Sequence, residues 1–445
     1  MFKLGDKCHF IGIGGVGMSA LAFILHEMGV QVSGSDVGES PFLDALSKRG
    51  VRIFNRHEPS NIGDAKYIVF SSAIKEDNPE LLFAIKQGLR IMHRAELLEI
   101  IMDSFKRIGI TGTHGKTTTT AMVMKVLIDM GLDPSGVIGG DYPYIGGNYR
   151  LGKGGYFVAE IDESDGSFLH LSRLDYLIIT NLEEEHIENY RGFDELKVKI
   201  AKLAEASQVV LFNSDDPVLI SMKLKGLSYG FKSGSFRGMK KGPRSLYVEG
   251  FGTVNLSVTG EHNLYNALAV MALAKELGLD KEGVVNSLKE FRGVRRRMEV
   301  LGEAGGILFI DDYAHHPTEI KAVLETLRKE WRDRRLVVVF QPHRYSRTLR
   351  MYRDIARALM LADFVAVTEI YSASEIPIPG VSGKLIYDVL QEAGKQNSVF
   401  FSDMQNVQEF FLRELKKGDL FITIGAGDIY KLGRTLLVKI KEGCQ

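Results

Sequence analysis

The chain has 445 residues, too many for one ordinary core and enough for two or three domains. Its composition is 45% hydrophobic and 25% charged, and 56 basic residues face 56 acidic ones, so no net field argues for nucleic acid or a membrane surface. Two cysteines, Cys8 and Cys444, exclude a disulfide framework and lack partners at metal-ligand spacing. The N-terminus enters a β-type run at residues 8–13 without a signal-peptide pattern, and no apolar run nears the ~20 residues of a membrane span. A cytoplasmic protein with no membrane insertion is the expectation.

Strand-like and helix-like segments alternate along the whole chain, the pattern of α/β architecture with parallel sheets. The first strand–turn–helix entry carries Gly12, Gly14 and Gly17, with Gly15 between them. Small residues there let the backbone approach a pyrophosphate at a helix N-terminus. Asp36 ends the next strand-like run, where an acidic residue meets a ribose in dinucleotide folds. This motif alone leaves a nicotinamide dehydrogenase open.

The second entry reads Gly112-Thr113-His114-Gly115-Lys116-Thr117-Thr118. Its N–H groups suit phosphates, Lys116 suits the β/γ oxygens, and the Thr117 hydroxyl suits Mg²⁺. Ile110 stands where the strict phosphate-loop pattern has glycine, so the loop is a variant. Two further strands then end in carboxylates, Glu160, Asp162, Glu163 and Asp165, and in Asn181 with His186 beyond it. Parallel strands deliver such residues to one sheet edge, and one carboxylate with phosphate oxygens suffices for Mg²⁺. Spacing does not decide which carboxylate binds. The Gly-, Ser- and Lys-rich segment from Lys232 to Arg244 reads as a surface loop. The last entry places His315 and His316 before Pro317, in the first turn of a helix. Arg344 and Arg347, three apart after a strand, would share a face at a helix start. A guanidinium fork there suits a carboxylate, although a solvated basic turn has the same sequence. Boundaries fall near Ser104 and Val294, dividing the chain into 1–104, 105–294 and 295–445.

GIGGVGM, SSAIKEDNPE, HRAELL, GTHGKTTTT, DESDGSFL, TNLEEEHIENY, HNLYNALAV, DDYAHHPTEI, QPHRYSRT and GAGD occur in this order. By this set the chain resembles the Mur ligase family from about Lys7 to Gly427. The resemblance implies three α/β domains: an N-terminal Rossmann-like domain for a UDP-sugar, a central P-loop ATPase with a mainly parallel sheet, and a C-terminal Rossmann-like domain for an amino acid. It implies ATP-dependent ligation of L-alanine to UDP-N-acetylmuramate through an acyl phosphate, with Mg²⁺. A dehydrogenase and a non-catalytic nucleotide-binding regulator become poor readings beside the phosphate loop and its carboxylates. A ligase of the same family that attaches a tripeptide is the nearer rival. No nucleic-acid partner is implied, and a monomer or weak homodimer is expected.

Residue by residue, the resemblance makes Lys116 and Thr117 the phosphate-loop lysine and metal-binding threonine. It makes Glu163 and His186 metal residues, and His262, Asn263 and Asn266 the adenine side. Asp312 becomes a ribose contact. Tyr313, His315, His343, Arg344 and Arg347 fall near the incoming amino acid, where His315 orients or deprotonates the amine. His57, Ser71, Ser72 and Arg94 face the UDP-sugar with the first glycine turn. The family's carbamylated lysine has Lys197 and Lys199 as candidates by position. Glu185 stands where the family has Asp. Preference among alanine, glycine and serine is not legible.

Overall fold

A computed structural model describes residues 2–38, 40–163, 166–184, 190–373 and 375–443. Cys444, Asp165, Glu185 and His186 lie outside the described residues. The chain divides into two units, Met1–Val294 and Arg295–Gln445. No helix is long and apolar enough to cross a membrane among the described residues.

The first unit opens with five strands, β1 (Lys7–Ile11), β2 (Gln31–Ser35), β3 (Arg52–Phe54), β4 (Tyr67–Phe70) and β5 (Arg90–His93). They form a wholly parallel sheet in the order β3-β2-β1-β4-β5. Helices α1 (Val16–Glu27), α2 (Pro41–Lys48) and α3 (Pro79–Lys86) lie in its crossovers, and α4 (Arg94–Met102) follows β5. Helix α1 is apolar nearly all round, with Met18 to Leu25 buried, so it is a core helix rather than a surface one.

A second sheet follows. Its strands are β6 (Lys106–Thr111), β7 (Ser135–Tyr142), β8 (Gly147–Arg150), β9 (Tyr156–Glu160), β10 (Tyr176–Ile179), β11 (Val209–Asn213), β12 (Leu227–Gly230), β13 (Phe236–Gly242), β14 (Ser245–Val248) and β15 (Gly252–Asn255). The order is β15-β14-β13-β12-β11-β10-β6-β9-β7-β8, antiparallel only at β7–β8, β13–β14 and β14–β15. Helices α5 (Lys116–Asp129), α6 (Phe193–Glu205), α7 (Pro217–Ser221), α8 (Glu261–Glu276) and α9 (Lys281–Lys289) accompany it. The segment Lys232 to Arg244 is not a loop, because β13 occupies its middle. Phe236 and Gly238 point inward and Arg237 and Met239 outward, a period of two hidden by the glycines and lysines around it.

The two sheets of this unit meet through side chains. Asn148 of β8 is buried and donates to the Val16 carbonyl at 2.7 Å and to Ser19 Oγ at 3.1 Å. Tyr149 stacks on Phe23 with ring centroids 4.6 Å apart, and the Arg49 guanidinium lies 4.8 Å from the Phe23 centroid. Beside the expected boundary at Ser104, Arg107 is fully buried. It donates to Glu99 at 2.8 Å, to Asp103 at 2.5 Å and to the Met102 carbonyl at 3.3 Å. A buried guanidinium so placed ties α4 to β6. Truncating it strands Glu99 at the seam. Arg107→Ala is therefore expected to cost about 3 kcal/mol of stability, read as a drop in urea midpoint at constant slope. An unchanged midpoint would deny this role.

The second unit holds β16 (Glu299–Ala304), β17 (Ile307–Asp312), β18 (Arg335–Phe340), β19 (Phe364–Thr368), β20 (Ser398–Phe401) and β21 (Asp419–Ile424). Their order is β16-β17-β21-β18-β19-β20, parallel except for the edge strand β16. Helices α10 (Pro317–Glu330), α11 (Tyr345–Leu359), α12 (Lys384–Glu392), α13 (Met404–Glu414) and α14 (Tyr430–Gly443) cover it. Strands β17, β18 and β21 are almost wholly buried, as central parallel strands are. The architecture is three-domain α/β with mostly parallel sheets.

Candidate active site

The glycine turn after β1 is held from two sides. Gly12 takes a φ of +82°, and Gly12 and Ile13 donate to the Ser35 carbonyl at 2.8 and 3.1 Å. Asp36 accepts from Gly14 N at 2.8 Å and from Gly38 N at 2.9 Å, and Ser40 Oγ donates to the Gly14 carbonyl. Asp36 thus braces the loop itself. A Cβ on Gly12 would lie 3.6 Å from Ser71 Oγ, and one on Gly17 would lie 3.4 Å from Arg94 Nη1. Ser71, Arg94, Gly14, Gly15 and Gly17 therefore gather at one sheet edge. Ser72 pairs with His93 at 2.9 Å, and His57 lies beside Ser35 at 2.8 Å.

The phosphate loop joins β6 to α5. Gly112 and Gly115 have φ of +129° and +81°, and a Cβ on Gly115 would stand 2.6 Å from Asn266 Oδ1, so only glycine fits there. Asn181 brackets His114, accepting from its N–H at 2.8 Å and donating to its carbonyl at 2.9 Å. Thr113 N donates to the Asn181 carbonyl, and Thr113 Oγ accepts from Glu183 N. Lys116 Nζ reaches the Gly112 carbonyl at 2.6 Å and Glu163 at 2.9 Å. Both partners are deeply buried. Desolvation would strip the charge from Lys116, yet Glu163, Asp162 and Glu160 outweigh it and hold the ammonium above its usual range. Burial pushes Glu163 up to about 7 against the pull of Lys116, with Asp162 adding to the rise.

Thr117 Oγ donates to Glu160 at 3.0 Å, and Gly139 N donates to the same carboxylate at 2.8 Å. Glu160 is the residue that sequence reasoning left among several acids. Its signal was its place as the last residue of an apolar strand. Thr118 follows on the first turn of α5. Asn266 stands against Gly115 of the phosphate loop and donates at 3.1 Å to Asn263, which donates to the Thr259 carbonyl; exposed His262 lies beside Gly260. Lys197 and Lys199 pair with Asp194 and Glu195 on their own helix. Among the described residues no group of three or more His, Cys, Asp and Glu is placed to hold a metal by itself. Hard oxygens from Thr117, Glu160 and Glu163 fit Mg²⁺, which takes one or two carboxylates and completes its shell with water and phosphate.

One ion pair links the two turns. Arg94, beside Gly17, has Nη2 3.7 Å from Asp162, the neighbour of Glu163.

In the second unit the expected residues sit where β17, β18 and β21 end. Asp312 is buried and spends its two oxygens on Ala314 N and Met298 N, both at 2.7 Å; desolvation pushes it up to about 6. Tyr313, His315 and His343 form a chain of rings 5.6 and 5.9 Å apart, and Tyr371 stacks on His343 at 5.7 Å. Burial first, then His315, Arg347, Arg344 and Arg296, push the His343 imidazole down to about 2. Its Nδ1 therefore accepts from Arg347 Nη1 at 3.1 Å. Arg344 does not share a helical face with Arg347. It caps α11 from outside at a φ of +72°, with its N–H on the Tyr371 carbonyl. This non-helical conformation, with its positive φ, overrides the helical spacing. Arg296, which the sequence shows only as part of the basic run Arg295-Arg296-Arg297 at the domain boundary, lies 4.9 Å from the Tyr313 centroid and 4.6 Å from that of Tyr430.

Three family models match the chain: "Mur ligase family, catalytic domain" over residues 7–106, "Mur ligase middle domain" over 110–274 and "Mur ligase, glutamate ligase domain" over 296–427. A UDP-N-acetylmuramate–L-alanine ligase of Dictyoglomus turgidum is 43% identical, covering 97% of each chain. The structure of a UDP-N-acetylmuramate–alanine ligase from Thermotoga maritima superposes with a TM-score of 0.87 at 32% identity, over 98% of this chain and 99% of that one. A murein peptide ligase from Psychrobacter arcticus shares the fold, with a TM-score of 0.74 at 24% identity over 98% and 99%.

Proposed function

The chain belongs to the Mur ligase family, and from that premise we propose that it joins L-alanine to UDP-N-acetylmuramate at the expense of ATP, in the cytoplasm, as a step of peptidoglycan precursor synthesis. The observation that carries the reading is the pair of glycine turns in one unit, linked by Arg94 and Asp162. A phosphate-binding turn for a nucleotide-sugar beside a phosphate loop is what transfer of a phosphoryl group to that sugar requires.

The lactyl carboxylate of the sugar attacks the γ-phosphorus of ATP, and the bond to the β,γ-bridging oxygen breaks to release ADP. The alanine amine, having lost a proton, attacks the acyl phosphate carbon, and phosphate leaves. Lys116 turns from the Gly112 carbonyl to the β- and γ-phosphates and neutralises charge that builds there. Thr117 and Glu163 would hold Mg²⁺ with His186, and the ion would supply further charge neutralisation on the phosphates. Asn263 and Asn266 support the loop on the adenine side, with His262; Asp312 serves the ribose. Arg94 orients the sugar carboxylate. His343, neutral and held by Arg347, serves position rather than proton transfer, which leaves His315 to take the amine proton. Tyr313, Arg344 and Arg347 bind the alanine. A monomer or weak homodimer suffices for this chemistry.

Arg347→Lys keeps the charge but loses the planar fork and the bond to His343. The expected result is a KM for alanine raised about tenfold, a loss of ~1.4 kcal/mol, with the KM for ATP unchanged. Initial rates against each substrate decide it, and a raised ATP KM alone would move Arg347 to the phosphate side.

The reading itself is tested by stoichiometry. ADP and phosphate should appear only when the UDP-sugar and the amino acid are both present, with L-alanine far better than the tripeptide. Rapid ATP hydrolysis without the sugar, or turnover with the tripeptide alone, would contradict it.

A further inference from the structure

Glu80 is fully buried at the start of α3, the β4–β5 crossover of the sheet that carries the first glycine turn. A carboxylate has about four lone-pair sites. Here Ser35 Oγ and His57 Nδ1, the latter at 3.2 Å, serve Oε2, while Asn61 Nδ2 at 2.8 Å and Glu58 N at 3.3 Å serve Oε1. His9 Nε2, also buried, lies 3.5 Å from Oε1. Burial opposes the charge, but the hydrogen bonds of His57, His9, Ser35 and Asn61 win and hold Glu80 well below the usual carboxylate range.

An ionised Glu80 only accepts, so Ser35 must give it the hydroxyl proton. The Ser35 oxygen is then an acceptor for His57 Nδ1 at 2.8 Å. Both neighbours of Nδ1 are acceptors, and Nδ1 must carry the ring proton. The same Ser35 holds the glycine turn through its carbonyl, which accepts from Gly12 and Ile13. His57 is thus one hydrogen bond from the backbone that shapes the nucleotide turn, with its side chain 17% exposed.

Resting on the UDP-sugar reading above, we propose that Glu80 is a positioning residue for the nucleotide. Through Ser35 it fixes the Nδ1–H form of His57, so that Nε2 offers a lone pair to a hydrogen-bond donor of the nucleoside. A ribose hydroxyl and the uracil N3–H are the donors available. Phosphate oxygens, which only accept, are not what this atom reads.

The test uses the full chain. Nitrogen-edited NMR of the imidazoles should show His57 protonated at Nδ1 in the wild type and at Nε2 in E80Q, where an amide can donate. Calorimetry with UDP should show about tenfold weaker binding for H57F, the worth of one buried hydrogen bond at ~1.4 kcal/mol, and a smaller loss for E80Q. The deficit should vanish with one analogue, 2′,3′-dideoxy-UDP if the donor is a hydroxyl or N3-methyl-UDP if it is the base. Wild-type His57 protonated at Nε2 would overturn the proposal, and this holds even if E80Q fails to fold. Undiminished UDP affinity in H57F, or a deficit that persists with both analogues, would also overturn it. Product formation by the wild type is scored separately: an active ligase indifferent to H57F and E80Q loses Glu80's role alone, whereas an inactive chain loses the ligase reading.

Discussion

Lys116→Ala should lower kcat by at least about 10²–10³-fold while leaving the affinity for UDP-N-acetylmuramate within about twofold. The ammonium belongs to the phosphate loop, where its partners are Gly112, Thr113 and Glu163. Among the described residues, none of these bonds to the turn at Gly12 to Gly17. Removal of one buried partner normally costs several kcal/mol, because it strands the other charge. Glu163 escapes most of that cost: burial already pushes it up to about 7, and without Lys116 it takes up a proton. The variant should therefore fold, bind the sugar and fail at phosphoryl transfer. Calorimetry with the UDP-sugar and single-turnover release of ADP check both halves. A large loss of sugar affinity would contradict the assignment of the two turns to different ligands.

Glu163→Gln should be of similar size, for a different reason. The amide keeps the shape but not the charge, so Lys116 loses its counter-ion and, on the proposed reading, Mg²⁺ would lose a carboxylate. The expected result is a fall in kcat of about 10²-fold or more, with the Mg²⁺ concentration for half-maximal rate displaced upward. A Mg²⁺ titration of initial rates separates this from simple unfolding, since a misfolded chain would show no shifted midpoint. Wild-type rates at low Mg²⁺ would transfer the metal role to Glu160, which already holds Thr117 at 3.0 Å.

The α/β class and the parallel sheets were legible because glycine-rich turns and apolar strands punctuate the chain at regular intervals. Gly115 was legible as part of the Gly-Lys-Thr run at a helix start, and the structure gives the reason for the glycine: a positive φ and the approach of Asn266 leave room for no other residue. What was not legible depended on distant pairings. Glu80 meets Ser35 and His57 across 45 and 23 residues, and along the sequence it is one of 56 acidic residues. Glu160 became distinct from Asp162 only when β9 set its carboxylate against both Thr117 and Gly139. Strand β13 was hidden by glycine and lysine, which lack strand propensity; only its first four residues, Phe236 to Met239, alternate in burial between β12 and β14. Arg344 misled for a local reason, since three-residue spacing says nothing about where a helix begins.

The central claim is that one chain passes an oxygen of the sugar carboxylate to the phosphate of ATP before alanine arrives at the carbon. UDP-N-acetylmuramate labelled with ¹⁸O in the lactyl carboxylate, incubated with ATP, Mg²⁺ and L-alanine, tests it by mass spectrometry of both products. The account predicts a UDP-sugar heavier by one alanyl residue and inorganic phosphate carrying one ¹⁸O per turnover. Unlabelled phosphate, or a labelled sugar recovered without alanine while ATP is consumed, would contradict it.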